Sequence, residues 1–450
     1  MTSGLCLICL QLTTLQNIRN SIYGVVDALV LPVLMLIATP ILLKSLGVGG
    51  YGTWVLINSL VASLAIVSFG GDIIIKFISS NREHDKGDTA GAIFGTVFVF
   101  QLLAMLAIYL CFLIFAPFIS QYFAAEGFLT LLSILYFAIP VFFVKQLEGL
   151  LYSFLSGYEK FGQGTTISSI SNAIFILTQI LTAIYTQSVE KIFISALVVS
   201  VVLFLSQFLL IKIFYKNDIV LSKANINTAK SILSFGGWNW LSSLASIPKG
   251  HSDKWIISSL LGLNTFGIYS IGVLVFNQLH TIIGSSIWWV FPGISRESSN
   301  KEALVTKYWK LTLYVFIAGV MSSVLLTNLD FLFELWLGSE IYQNSLYYID
   351  TFLLILPVFT INLVFHVYFL GLGLVRSIFF TEVTTFIIKS ITIWLVVSVL
   401  NIEEWVLFFM VFIAIEYLIY SVIISRELPI KFVHLVAYLL LQILIVFVRM

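Results

Sequence analysis

Long apolar stretches recur along the whole chain and are separated by short polar segments. The run Ile93–Phe115 is typical, and its polar and apolar residues do not alternate. Hydrocarbon offers no hydrogen-bonding partner to backbone amides, so a spanning segment must satisfy them internally, as a helix does. A barrel strand would alternate with a period of two residues. The pattern therefore predicts an all-α integral membrane protein.

The boundaries of the apolar stretches predict about twelve transmembrane helices. The predicted spans lie near residues 20–43, 52–75, 89–116, 128–156, 165–186, 191–214, 231–260, 267–292, 308–328, 347–371, 377–400 and 405–425. A thirteenth apolar run, Phe432–Val448, is short for a span. Interfacial, re-entrant and spanning placements are all left open for it.

Composition agrees with this pattern and excludes several classes of protein. Of the 450 residues, 60% are hydrophobic and 10% are charged, and the mean hydropathy is +1.05. Soluble domains carry about 25% charged residues. A net charge of +1 gives no sign of nucleic-acid binding, and the three cysteines and five histidines form no ligand cluster. We expect no metal and no cofactor, and the absence of a nucleotide-binding loop gives no support for ATP drive.

The distribution of basic residues predicts the orientation. With a cytoplasmic N-terminus, sixteen of the 23 lysines and arginines fall on inner loops and inner helix ends, and only Lys44 and Lys191 fall on outer ones. Positive charge is retained on the cytoplasmic side of membrane proteins. The sequence therefore predicts a multi-pass protein of the plasma membrane, the inner membrane of a bacterium, with its N-terminus in the cytoplasm.

A short motif occurs twice, six predicted spans apart. The first copy is Leu46-Gly47-Val48-Gly49-Gly50-Tyr51-Gly52, and the second is Leu261-Gly262-Leu263-Asn264-Thr265-Phe266-Gly267, so Leu261 stands 215 residues after Leu46. Tight outer turns alone would also explain such glycines, but the spacing favours duplication. We expect two six-helix repeats in the same orientation around a central cavity.

The repeat predicts how the chain is divided. An N-terminal half would cover residues 17–214, and a C-terminal half would cover residues 231–425. Residues 215–230 would form a cytoplasmic connector, and residues 426–450 a tail that contains the extra apolar segment.

Several motifs together resemble the polysaccharide (Wzx-type) flippases of the multidrug/oligosaccharidyl-lipid/polysaccharide exporter superfamily. The resemblance covers roughly residues 17–425. It rests on these matches: Leu46-Gly47…Tyr51-Gly52-x-Trp54, Ser68-Phe69-Gly70, Gly157-Tyr158-Glu159-Lys160-Phe161, Asp253-Lys254, Leu261-Gly262…Gly267-x-Tyr269 and Phe291-Pro292. In one departure, Ser68 stands where the family often has an acidic residue, and Asp72 follows one helical turn later. The resemblance implies translocation of an undecaprenyl-diphosphate-linked oligosaccharide, an O-antigen or capsule repeat unit.

The candidate site residues are the charged groups inside predicted spans. A charge in the bilayer costs about 2.5–3.5 kcal/mol on insertion scales, so each should face a partner or water. Span 231–260 has the densest set: Lys249, His251, Asp253 and Lys254. Lys249 and Asp253 are spaced to pair on one face, and the set as a whole predicts a cationic cavity wall that would attract a lipid diphosphate. The alternative is a short outer loop that begins at Pro248.

Other spans carry further candidates. Lys145 and Glu148 form either a self-neutralising structural pair or part of the cavity, and Glu382 and Lys389 lie on one helix face. The single acids Asp27 and Glu416 are candidates for carrying a coupled proton, because a buried carboxyl group binds a proton more readily than an exposed one. Uncharged polar residues form two stripes, Asn277 with Thr281 and Asn362 with His366, and His280 lies in the first of these clusters. With the nearby Trp288 and Trp289, they suit either helix–helix hydrogen bonds or sugar hydroxyls.

The leading functional hypothesis is a flippase rather than an enzyme. Its partners would be a lipid-linked oligosaccharide and membrane lipids, with other polysaccharide-assembly proteins as further partners. A cation-coupled multidrug exporter should prefer an acidic cavity, whereas the most charged span here is basic. A membrane glycan polymerase or ligase should carry acidic or basic catalytic residues on a large outer loop. The longest one, Asn328–Leu346, has the acids Asp330, Glu334 and Glu340 but no basic residue and no His.

Overall fold

The computed structural model of the chain is built of helices. It describes the backbone of residues 2–448 apart from 68–70, 72–73, 76–77, 79–86, 124–127, 159, 215–225, 288–289, 297–299 and 400–404. Side chains are described over the same residues apart from 2–28, 66–67, 87–90, 128, 226–243, 291–292, 296, 375 and 445–448.

Fourteen α-helices lie within the described residues. They are α1 Thr2–Ala62, α2 Gly87–Phe123, α3 Phe128–Gly157, α4 Phe161–Thr186, α5 Val189–Phe214, α6 Ile226–Ile287, α7 Phe291–Arg296, α8 Lys301–Thr327, α9 Asp330–Leu337, α10 Ser339–Phe359, α11 Ile361–Gly371, α12 Val375–Trp394, α13 Phe409–Glu427 and α14 Phe432–Val448. Short 3₁₀ or π turns occupy Ser63–Val67, Leu395–Val399 and Trp405–Phe408.

The two longest helices bend at glycines of the repeated motif. Gly47 in α1 has φ 70° and ψ 170°, and Gly262 in α6 has φ 78° and ψ 169°. A side chain would clash in this conformation, which glycine adopts freely. The two copies of the motif therefore form the same sharp kink, at which one helix ends and the next begins, as expected for a tight turn.

The number of membrane-crossing helices agrees with the sequence. Within the described residues, ten helical stretches are long and apolar enough to cross a membrane. Two of these, Leu29–Ala65 and Leu244–Ile287, contain the kinks at Gly47 and Gly262, and division at the kinks gives the predicted twelve. The all-α integral membrane class is confirmed.

The chain forms two compact units. The first contains Met1–Ser45 and Val67–Gly236, and the second contains Leu46–Ile66 and Gly237–Met450. Leu46–Ile66, which the sequence assigns to the N-terminal half, thus packs with the second unit. The predicted division into halves, connector and tail stays a prediction.

Each unit has its own helix packing. In the first unit, α3 packs against α2, α4 and α5, with Phe94 and Phe154 buried edge to face. In the second, α10 packs against α8, α13 and α14, and α12 packs against α11 and α13. The extra helix α14 contributes Tyr438, whose ring contacts Trp309 and Phe316.

The two copies of the repeated motif touch each other inside the second unit. A Cβ on Gly52 would lie 2.2 Å from the carbonyl oxygen of Leu263, and a Cβ on Gly267 would lie 2.4 Å from that of Val48. Contacts of this kind leave no room for a side chain, so backbone packs directly on backbone, as small residues permit between membrane helices.

Candidate functional site

The second unit encloses a cavity of about 250 Å³ between α6, α10, α12 and α13. Four charged side chains of the described residues line it: Lys249, Asp253, Glu382 and Lys389. Asn277 adds an amide, and the remaining wall is largely aromatic, with the rings of Tyr269, Phe276, Phe352, Phe359, Phe409 and Phe412. The cavity therefore combines an apolar wall with a few charged groups, as ligand sites commonly do.

Lys249 lies between two carboxylates from other helices. Its Nζ is 3.2 Å from Glu382 Oε2 on α12 and forms a second ion pair with Glu416 Oε1 on α13. Asn362 Nδ2 on α11 donates to Glu416 Oε2 at 3.1 Å, and the Tyr420 hydroxyl donates to Glu382 Oε1 at 3.3 Å. Side chains from four helices thus meet around one ammonium group.

Lys389 pairs with a third carboxylate of the second unit. Its Nζ lies 2.7 Å from Asp253 Oδ1 and donates to the backbone carbonyl of Lys249 at 2.8 Å. The Tyr269 hydroxyl donates to Asp253 Oδ2 at 2.6 Å, and the Phe409 ring centroid is 5.5 Å from the ammonium. The pair is nearly enclosed, since the two side chains are 10% and 6% exposed.

These contacts correct two expectations about span 231–260. Lys249 and Asp253 do not pair with each other; each binds an opposite charge on α12 or α13. The cavity wall is not cationic overall, because its two lysines, Lys249 and Lys389, are accompanied by Asp253 and Glu382. A count of charges along α6 alone is misleading, because the acids that balance Lys249 lie on helices far away in the chain.

The alternative of an outer loop at Pro248 is wrong. Helix α6 runs without a break from Ile226 to its kink at Gly262, so Pro248 and the charged residues after it are helical. The charged set therefore projects from a helix that is apolar enough to span a membrane.

Other candidates on these helices do not line the cavity. His251 stacks on Trp255 with ring centroids 6.3 Å apart, and no described carboxylate forms an ion pair with Lys254. His280 packs against Phe276 and Phe359. Neither His251, Lys254, His280 nor the half-buried His366 lines the cavity.

The first unit has a separate cavity of about 240 Å³ between α3, α4 and α5. Lys145 and Glu148 line it, and Lys145 Nζ lies 2.7 Å from Glu148 Oε2. These two residues therefore neutralise each other and also line a cavity. Glu148 Oε2 accepts hydrogen bonds from the Ser171 hydroxyl at 2.8 Å and from Gln207 Nε2 at 3.4 Å. Lys145 also donates to Asn172 Oδ1 at 3.2 Å. The neighbouring helices thus surround this ion pair with neutral hydroxyl and amide groups.

Some candidates lie outside the described residues. The backbone of α1 includes Asp27, but its side chain is not described, and Ser68, Asp72, Trp288 and Trp289 are not described at all. In the described part of the chain, no group of three or more His, Cys, Asp or Glu side chains is arranged to hold a metal ion.

Sequence reasoning missed the neutral groups that hold the charges in place. Tyr269 stands out in the sequence only as the last residue of the motif Leu261-Gly262…Gly267-x-Tyr269, which carries the resemblance, although its hydroxyl binds Asp253. Ser171 and Asn172 end a polar run from residue 164 inside an otherwise apolar span. That run is the signal that could have identified them, because polar residues at membrane depth are costly unless paired.

Comparison with known proteins agrees with this architecture. A lipid II flippase MurJ, solved in an inward closed conformation, aligns with a TM-score of 0.71 over 96% of this chain and 92% of its own, at 15% identity. An inward-facing multidrug resistance MATE transporter of the MOP superfamily aligns with a TM-score of 0.66 over 91% and 95%, at 14% identity. At these identities the likeness shows the fold.

A sequence relative and a family model agree as well. A Shigella flexneri protein described as "Putative O-antigen transporter" is 24% identical over 339 residues, which cover 73% of this chain and 78% of the relative. The model of the family described as "Polysaccharide biosynthesis protein" matches residues 50–341, well over half of the chain. The resemblance found in the sequence is thereby confirmed: this multi-pass membrane protein belongs to the polysaccharide biosynthesis protein family and has the fold of the MOP superfamily transporters.

Proposed function

We propose that this protein flips an undecaprenyl-diphosphate-linked oligosaccharide, an O-antigen or capsule repeat unit, from the inner to the outer leaflet of the bacterial inner membrane by alternating access. Membership of the polysaccharide biosynthesis family supports the substrate class, as does the O-antigen relative. The shared fold with a lipid II flippase and with MATE transporters supports the transport mechanism. The basic inner loops support a cytoplasmic N-terminus.

One observation carries the proposal: two lysines, Lys249 and Lys389, line the same cavity in the second unit. A diphosphate is a compact anion, and an ammonium group is a strong point charge for phosphate. Attraction between them is several-fold stronger in a poorly hydrated cavity than in water, because the effective dielectric constant is lower. The side chains of Lys249 and Lys389 are 15% and 10% exposed, so the two ammonium groups are largely removed from water and are placed to bind the diphosphate.

The carboxylates have a definite part in this scheme. Asp253, Glu382 and Glu416 hold the two lysines when no substrate is bound, which limits the cost of burying cations. The charges of the empty site are thus paired, and a diphosphate would share Lys249 and Lys389 with these carboxylates.

The test removes one complete ion pair so that no buried charge is left alone. A host strain that lacks the gene is complemented with wild type, with Lys389→Met/Asp253→Asn, or with Lys310→Gln, an exposed lysine on α8, as the control. A charged hydrogen bond contributes about 1.5–3 kcal/mol, so the double variant should reduce export by at least about tenfold.

The readouts are surface polysaccharide and the lipid-linked repeat unit retained in membranes. Export should fall and the lipid-linked unit should accumulate in the double variant, and Lys310→Gln should behave as wild type. Wild-type surface polysaccharide in the double variant, at normal protein level, would refute the role given to this pair.

A cation-coupled multidrug exporter is the second candidate, and one observation favours it. The cluster around Lys249 and Lys389 contains three buried carboxylates, Asp253, Glu382 and Glu416, which a cationic drug would also suit. Overexpression should then protect cells against a panel of cationic drugs, and Asp253→Asn should abolish the protection. The flippase proposal expects no protection.

A membrane glycan polymerase or ligase would instead lengthen the glycan on purified lipid-linked substrate.

A further inference from the structure

Glu148, in the cavity of the first unit, has a carboxylate oxygen that is not used. Its Oε2 accepts hydrogen bonds from Lys145, Ser171 and Gln207. Its Oε1 is buried and has no partner among the described residues, and the whole residue is 7% exposed. Buried polar atoms are satisfied in the great majority of cases, so an unsatisfied carboxylate oxygen beside a cavity is placed to receive a donor from a ligand.

The neighbouring side chains present further free groups. Asn172 accepts from Lys145 through Oδ1, and its NH₂ group makes no hydrogen bond among the described residues. Gln207 donates to Glu148 through Nε2, which leaves its Oε1 as an acceptor. Ser168 adds a hydroxyl to the wall, and the Tyr152 ring also lines it. The wall therefore presents both acceptors and donors. A hydroxyl group, which donates and accepts at once, complements such a wall.

The number of lysines separates this cavity from that of the second unit, although in each cavity wall the acids equal the lysines in number. Among the described residues, Lys145 is the one cation that lines the cavity of the first unit, and it pairs with Glu148. A diphosphate would meet a paired lysine next to a free carboxylate oxygen, which repels anions. A neutral molecule rich in hydroxyl groups gains hydrogen bonds without that repulsion.

We infer that the cavity of the first unit is a second binding site, which takes an uncharged sugar residue of the transported glycan through Glu148, Asn172 and Gln207. This inference rests on the proposed function, because it assigns part of the same substrate. Glu148 Oε1 accepts from a sugar hydroxyl, and the amides of Asn172 and Gln207 fix which hydroxyls fit. The first unit would then distinguish one glycan from another, whereas the lysines of the second unit bind the diphosphate common to all.

The experiment compares two probes on the full-length protein in nanodiscs. One is undecaprenyl diphosphate, which has no sugar, and the other is the lipid-linked oligosaccharide extracted from the protein's own host. Binding of each is measured to wild type, to Gln207→Leu and to Asn172→Leu. The matched control is Gln101→Leu, a buried glutamine of the same unit that does not line the cavity.

The cavity variants should bind the oligosaccharide-bearing probe about five- to tenfold more weakly, as expected for the loss of one or two hydrogen bonds. Their affinity for undecaprenyl diphosphate should not change. Gln101→Leu should bind both probes as wild type does. Thermal unfolding of each variant identifies any that has lost its fold, and the remaining cavity variant then decides the result.

Four other outcomes overturn the inference, and they differ in what else they overturn. If wild type binds both probes equally, or if the cavity variants weaken both probes alike or neither, the first unit does not bind the sugar and the flippase proposal stands. If wild type binds neither probe, the proposed function fails and the inference fails with it.

Discussion

The two cavities hold buried charge in different ways. In the second unit, Lys249 pairs with Glu416, 167 residues further along the chain, and Lys389 pairs with Asp253, 136 residues before it. In the first unit, Lys145 pairs with Glu148 one helical turn further along the same helix. Pairs between helices depend on the packing of the unit, whereas a pair within a helix forms wherever that helix forms. We therefore expect removal of one charge to lower the stability of the protein strongly in the second unit and only slightly in the first.

The largest effect is expected for Lys249→Met. It leaves two buried carboxylates, Glu382 and Glu416, without their cation, and breaking a buried ion pair costs about 3–5 kcal/mol. The thermal unfolding midpoint of the purified protein in detergent should fall by more than it does for a single substitution at Lys389 or Lys145. The variant Lys249→Met/Glu382→Gln/Glu416→Gln is the control, because it removes all three charges. Failure of the triple variant to recover most of the lost stability would show that the ion pairs are not the cause.

Lys389→Met should have the next largest effect and should lower the free energy of unfolding by about 3 kcal/mol. Only one carboxylate loses its cation here, and Asp253 keeps the hydrogen bond from Tyr269. The same melting assay measures it, with Lys389→Met/Asp253→Asn as the charge-balanced control. The unfolding midpoint should fall less than it does for Lys249→Met. An equal or larger fall would contradict the ranking, which counts the carboxylates left without a cation.

Lys145→Met should have the smallest effect and should lower the free energy of unfolding by about 1 kcal/mol. Its side chain is 22% exposed, and Glu148 keeps the hydroxyl of Ser171 and the amide of Gln207. Lys145→Arg, which keeps the charge, should melt close to wild type. A loss of stability as large as that of Lys389→Met would erase the difference between the two units.

The fold could be predicted from sequence because its signals are local. Apolar length identifies each span, and the motif around Gly47 recurs around Gly262, where the chain bends in the same way. The membrane allows few other structures for such segments. The sequence could not show that Gly47 and Gly262 are the residues at which the helices break, since each motif offers more than one glycine.

The candidate site could be predicted only in part. The costly residues are visible one by one in the sequence, including Lys249, Asp253 and Glu416. Their partners are not, because a small change in how a helix is rotated selects different faces, and nothing in a single sequence fixes that rotation. The pairing of Lys389 with Asp253 depends on how α12 lies against α6. The hydrogen bond from Tyr269 to Asp253 depends on how α6 folds back at Gly262.

The contact between Gly52 and Gly267 bears on how the duplicated chain can evolve. Each glycine stands at the last position of its copy of the motif, and each lies against the backbone of the other copy. Two copies of a gene segment usually drift apart independently after duplication. Here a larger residue in either copy would strike the other, so neither copy is free to drift at this point, and we expect homologous chains to keep a small residue at both positions together.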